Sequence, residues 1–376
     1  MPPVPLRPAV TGLPAYVAGR PAPARADLVT YKMSSNENPF PPLPGVLEAV
    51  AHAAASMNRY PDIANTLMAE ALGARLGVDA GRLAFGTGSV GVLYHLLQAV
   101  CGPGDEVVHA WRSFEAYPIA VLLTGARWVG VPLDDVAGRE AEHDLDAMLA
   151  AVGPATRAVL LCSPNNPTGP ALRHDEVVAF VEAVPDDVLV VVDEAYVEFV
   201  TAPTAVRGLE VAQGRDNVVV LRTFSKAYGL AGFRVGYCVA EPRLAQAVRS
   251  VALPFGVSLP AQAAVLASLE HEAELRARVA ELVTRRDALA SGLRDLGLTV
   301  PDAQGNFVWI PAGSRTADVA ATFGEAGLVV RPYVSDHPGD GVRITVGEPE
   351  ANARVLEVAA RLDGTARSSR TVSTPA

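Results

Sequence analysis

The chain has 376 residues, half of them hydrophobic and 19% charged, with a formal net charge of −10. That length exceeds one compact core and predicts two domains, and the apolar fraction excludes a disordered chain. An acidic chain without a basic run argues against nucleic acid or an anionic membrane as partner.

Residues 1–30 are rich in Pro and Ala, show little periodicity and read as an extended arm. They do not open with a basic segment followed by an apolar one, so secretion is not expected. No uncharged apolar stretch approaches the roughly 18 residues of a membrane span. Cys101, Cys162 and Cys238 lie far apart with no C-x-x-C pair. That usage fits a reducing cytoplasm.

Short apolar runs then alternate with helical patterns. The runs at 107–110, 128–131, 158–162, 188–192, 218–221 and 235–239 read as buried strands. Strands alternating with helices predict an α/β fold with a mostly parallel sheet covered on both faces, in a large domain over 31–260. From 261 to 298 a long helical pattern with interleaved charges follows, then strand candidates at 306–310 and 342–346. These predict a smaller α+β domain over 261–364. Residues 365–376 are small and polar, and read as a disordered tail.

Five segments carry candidate chemistry, each at a predicted strand end or helix start, where open α/β sheets bind ligands. Phe85-Gly86-Thr87-Gly88-Ser89-Val90 precedes an apolar helical stretch. Its glycines let the backbone approach an anion, and the helix start offers free N–H groups. A plain tight turn would carry the same string. Ser163-Pro164-Asn165-Asn166-Pro167-Thr168-Gly169 is a turn that could aim Asn166 at a ligand oxygen.

The third segment is Val190-Val191-Val192-Asp193-Glu194-Ala195-Tyr196. A carboxylate after a valine run is costly to bury unless it meets a cation or a donor. A protonated pyridine nitrogen would serve; a helix cap or a metal ligand are the alternatives. No His cluster or second carboxylate motif supports a metal. The fourth and most specific runs from Arg222 to Arg234, with Lys226 flanked by Thr223, Ser225 and small residues. A Schiff-base lysine must be desolvated so that its amine is neutral near pH 7. Hydroxyls at 223 and 225 and the Arg234 guanidinium suit a phosphate monoester. Last come Arg331 and Arg343, each beside strand residues and each able to clamp a carboxylate.

Together these strings resemble the fold-type I pyridoxal 5'-phosphate (PLP) enzymes, whose hallmark is a mostly parallel seven-stranded sheet. Within them the chain resembles the histidinol-phosphate aminotransferase subfamily, from Ser34-Ser35-Asn36-Glu37-Asn38 to Arg343-Ile344-Thr345-Val346. The resemblance implies that Lys226 forms the Schiff base and then moves the proton, and that Asp193 pairs with the pyridine nitrogen. Tyr196 and Asn166 would bond the ring hydroxyl. Thr223, Ser225, Arg234 and the backbone of Gly88 and Ser89 would hold the phosphate, with Phe114 stacked on the ring. Tyr60 matches a tyrosine that reaches the neighbouring subunit's phosphate, which implies a homodimer. Asn36 and Arg343 match substrate-binding positions, with Arg331 as a second cation.

Trp111-Arg112-Ser113-Phe114-Glu115-Ala116-Tyr117 departs from the Pro-x-Tyr-x-x-Tyr pattern of the histidine-pathway enzymes. It looks instead like the actinobacterial aromatic amino acid aminotransferases. That resemblance implies an aromatic amino acid and 2-oxoglutarate as substrates, with histidinol phosphate as the alternative. A doubly charged phosphate would call for an extra cation near Arg343. An aromatic ring would call for an apolar lining, for which Phe40, Tyr31, Trp111 and Tyr333 are candidates.

Overall fold

The computed structural model describes residues 4–16, 18–19, 21–134, 136, 138–335 and 339–362. The tail expected at 365–376 lies outside them. In chain order the strands are β1 (Tyr31–Lys32), β2 (Leu83–Thr87), β3 (Glu106–Trp111), β4 (Arg127–Pro132) and β5 (Thr156–Cys162). There follow β6 (Leu189–Asp193), β7 (Val218–Thr223), β8 (Val235–Val239) and β9 (Phe307–Pro311). The last are β10 (Leu328–Val329), β11 (Arg331–Tyr333) and β12 (Gly341–Thr345).

Seven of them form one sheet in the order β2-β8-β7-β6-β5-β3-β4. Every pair from β7 to β4 is parallel, and β8 alone runs against both its neighbours. The reversal has a simple cause. Parallel neighbours need a crossover, usually a helix, whereas only the short segment 224–234 links β7 to β8. That segment therefore folds back over the carboxyl end of β7, and it carries Lys226.

The sheet is buried on both faces, which explains its valine-rich strands. Val190 and Val192 face one apolar layer, with Val159 and Leu161. Val191 and Leu160 face the other, under Leu93, Leu96 and Leu97 of the helix Gly88–Val100. Each fully buried valine of β6 contributes about 1.5–3 kcal/mol as an upper estimate. The strand is thereby pinned, and so is the position of the carboxylate at its end.

A second sheet, β11-β12-β9, is antiparallel, and β1 pairs with β10. Tyr31 thus lies beside Leu328, bringing the start of the chain to its last third. The long helical pattern expected over 261–298 resolves into two helices, Leu259–Glu270 and Glu272–Asp295. Ser258 caps the first by accepting from the Ala261 N–H. Among its described residues the arm contains one short helix, Pro8–Thr11.

Candidate active site

Outside the carboxyl ends of β5, β6 and β7 lies a cavity of about 300 Å3. Ser89, Phe114, Asn166, Asp193 and Tyr196 line it, with Thr223, Ser225, Lys226 and Arg234. Arg331 and Arg343 enter from the small antiparallel sheet. Segments far apart in sequence therefore meet at one place.

Lys226 sits on a loop clamped from both sides. Phe224 is fully buried against Tyr228 and Tyr237, the Gly229 N–H donates to the Lys226 carbonyl, and Asn38 Nδ2 donates to the Ala227 carbonyl at 2.9 Å. The amine donates to the Ser35 carbonyl at 3.1 Å and stands 5.7 Å from the Tyr196 ring centre. Burial, reinforced by the Arg343 cation, pulls its pKa down to about 7, although Glu37 opposes the shift. The amine is thus poised to be a nucleophile near neutrality.

Asp193 ends β6, and Glu194 just beyond it turns to other partners. Glu194 pairs with Arg222 at 2.7 Å and accepts from the Gly208 N–H. Asp193 turns to the cavity. Burial pushes its pKa up to about 6, while donation from the Tyr117 hydroxyl (2.8 Å, to Oδ2) and the Ala195 N–H (3.2 Å, to Oδ1) holds it down. A cationic ring nitrogen would be the missing compensation.

Asn36 fixes Tyr196 from behind. Its backbone takes φ +52°, its Oδ1 accepts from Thr345 at 3.0 Å and its Nδ2 donates to the Tyr196 hydroxyl at 2.9 Å. The tyrosine proton is left free to donate into the cavity. Arg343 donates to Asn166 Oδ1 at 2.5 Å, to the Tyr333 hydroxyl at 2.8 Å and to the Ser34 carbonyl at 2.6 Å. Asn165, next to Asn166, is held by Ser113 and His143 through its Oδ1 and by Arg112 and Thr168 through its Nδ2. Burial lowers the His143 pKa to about 4, so the ring is neutral.

The anion cradle depends on one glycine. A Cβ on Gly236 would lie 2.1 Å from the Ser89 nitrogen, so only glycine lets β8 press against the helix start. Gly88 itself has φ +79°, and a Cβ there would meet the Arg234 guanidinium at 2.6 Å. The first N–H groups of the helix, together with Arg234, Thr223 and Ser225, make a donor set suited to a phosphate.

Some expected residues fall elsewhere. Tyr60 is 81% exposed and stacks on Phe255 at 4.4 Å, away from the cavity. Of the four aromatic candidates for a substrate lining, only Tyr333 is in the wall. Phe40 lies under Arg278 and Arg285, Tyr31 under Arg354, and Trp111 against His109 and Trp128. The wall includes instead Tyr16 and Gly19 of the arm, and Glu115. Tyr117, His143 and Asn165 were also not assigned from sequence. Tyr117 and Asn165 lay inside quoted strings, whereas no motif marked His143.

An amine that loses its proton near pH 7, beside an anion cradle, equips a protein to condense with a carbonyl compound. Residues 30–358 match the family described as Aminotransferase class I and II, and the chain belongs to that family. It is 53% identical to an aromatic amino acid aminotransferase of Streptomyces avermitilis, over 95% of this chain and 97% of that protein. One of the same description from Thermobifida fusca is 48% identical, over 94% and 96%. Among solved structures, histidinol-phosphate aminotransferase of Sinorhizobium meliloti with pyridoxal 5'-phosphate is 31% identical, with TM-score 0.84 over 97% of this chain and 98% of that one.

Proposed function

We propose that the chain transfers the amino group of an aromatic amino acid to 2-oxoglutarate, with pyridoxal 5'-phosphate as cofactor. The donor set fits that group: a desolvated amine, a buried acid and a helix-start cradle share one cavity. When bound, the cofactor supplies an aldehyde and a protonated ring that draws electrons from the substrate Cα. Lys226 would hold the cofactor through its amine and would move the proton at the substrate Cα. Asp193 would face the ring nitrogen as its counter-charge. Tyr196 and Asn166 would serve as donors to the ring hydroxyl, with Phe114 as the apolar neighbour of the ring. Gly88, Ser89, Thr223, Ser225 and Arg234 would hold the phosphate. Arg343 binds the α-carboxylate, and Asn36 positions Tyr196.

The lining of the cavity carries the aromatic reading. Phe114, Tyr16 and Tyr333 offer ring surface nearby. The names of the Streptomyces and Thermobifida relatives support the same choice. A side-by-side half-reaction with phenylalanine, tyrosine and histidinol phosphate tests it. A tenfold or greater preference for histidinol phosphate in kcat/KM, about 1.4 kcal/mol, would reverse it.

A homodimer is part of the proposal, with Tyr60 reaching the phosphate bound by the neighbouring subunit. Its exposure, beside exposed Ile63, Leu253 and Phe255, supports this. So is the division into a cofactor-holding body and a smaller one that begins near residue 261 and contributes both substrate arginines. Among the described residues no helix is long and apolar enough to cross a membrane. A cytoplasmic setting suits the three free thiols, whose pKa values burial raises to about 12.

A further inference from the structure

We propose that Glu115 is an exchangeable counter-ion, which lets one cavity accept either an aromatic side chain or the side-chain carboxylate of a dicarboxylic substrate. The inference rests on the transaminase reading above. Both half-reactions must use the same lysine, so the same wall must face an uncharged ring in one and an anion in the other. A permanently free cation would suit only the second.

The geometry supplies a second cation that is masked. Arg331 and Arg343 are direct partners across the β11–β12 pair. Their guanidiniums stand 5.4 and 5.6 Å from the centre of the Tyr333 ring. Arg331 therefore stands within reach of the side chain of a substrate whose α-carboxylate lies on Arg343. Arg331 is fixed by donation to the Ala18 carbonyl at 2.8 Å and to Glu115 Oε2 at 2.6 Å.

The two ends of this ion pair differ in freedom. The Arg331 side chain is 7% exposed, that of Glu115 27%. Glu115 lies just before the helix Ala116–Thr124, with a path to water. A buried guanidinium without an anion is costly, so Glu115 stays when a ring fills the cavity. A substrate carboxylate can replace it charge for charge, and the displaced acid is then solvated. The nearby Arg112–Asp340 pair shows the contrast. Its side chains are 4% and 9% exposed, and Ser335 donates to the same Asp340 oxygen at 3.0 Å. That pair is closed off from water at both ends, whereas Glu115 has solvent beside it to receive its carboxylate once displaced.

The test uses holoenzyme and two ligands without an amino group: glutarate, a dicarboxylate, and 3-phenylpropionate, one carboxylate with a ring. Calorimetry gives both dissociation constants. In Glu115→Gln, glutarate should bind about twofold to fivefold tighter, the range a partly exposed ion pair can withhold, and 3-phenylpropionate no tighter. KM for 2-oxoglutarate should fall with kcat retained. Arg331→Gln should weaken glutarate selectively and abolish the effect of adding Glu115→Gln. An unchanged ratio of the two affinities in Glu115→Gln overturns the proposal, whether both ligands weaken together or neither moves. Should that variant not fold, Glu115→Asp must shift the ratio in the same direction, and an unshifted ratio overturns it equally. Failure of the aromatic reading is separate: wild type would prefer histidinol phosphate, while the two-ligand ratio would still report on Glu115.

Discussion

The hydroxyl of Tyr117 donates to Asp193 Oδ2 at 2.8 Å, from a tyrosine with no solvent exposure to a carboxylate with almost none. Burial and the Asp193 charge raise the phenol's own pKa well above its ordinary value, so it stays a donor. The tyrosine thus helps keep a desolvated acid ionised.

Tyr117→Phe should weaken cofactor binding by about 10- to 100-fold, the worth of a hydrogen bond to a charged group. The Asp193 pKa already stands above its ordinary 3.8, at about 6, so without a cation opposite, ionisation costs folded-state stability as pH rises through 6. Losing the donor raises that pKa further. The acid limb of cofactor affinity should therefore move to higher pH. Dissociation constants measured from pH 5 to 8 check this, and an unmoved limb would count against the assignment.

Cofactor attachment to the cofactor-free enzyme should accelerate as pH rises through about 7, the Lys226 pKa, because only the neutral amine attacks. The sign for stability follows from the same depression. The buried amine costs stability below pH 7, and the cost fades as pH climbs toward the ordinary 10.5. Absorbance-monitored reconstitution across that range is the measurement, and a rate that falls through neutrality would refute the desolvated-amine reading.

Lys226→Ala should remove covalent attachment and lower the transamination rate by at least about 10²–10⁴, the usual worth of a positioned proton-transfer group. The variant should stay folded, since burying a lysine amine opposes folding. Borohydride treatment followed by peptide mass analysis should place the adduct at 226 in wild type. An adduct elsewhere would end the assignment.

Gly236→Ala should cost about 1–3 kcal/mol from overpacking, and should weaken phosphate binding because Ser89 must shift. Thermal melting and the dissociation constant for pyridoxal phosphate report the two effects. Retained stability with retained affinity would mean that β8 can yield.

Tyr60→Phe should leave the oligomeric state unchanged and raise the cofactor dissociation constant by about 10- to 100-fold, as for one lost hydrogen bond to a charged group. Sedimentation and equilibrium titration together decide. A monomeric wild type would remove the proposed role.

The chain by itself determined the fold and the reacting groups, because both are local in sequence. Valine runs of strand length, separated by helical patterns, announce a buried parallel sheet. Asp193 at the end of such a run, and Lys226 just after two hydroxyls, are informative for the same reason: each is costly to bury without a partner. What surrounds them was decided only by tertiary structure. Tyr117 reaches Asp193 from another helix, Asn36 reaches Tyr196 across much of the chain, and Tyr16 arrives from an arm without periodicity. Residue type alone also offered Phe40, Tyr31 and Trp111 as substrate contacts, though arginine stacking or the core holds them away from the cavity. An isolated tyrosine or glutamate costs much the same in many places along a chain. Its role depends on which distant backbone lies within 3 Å, and packing sets that distance.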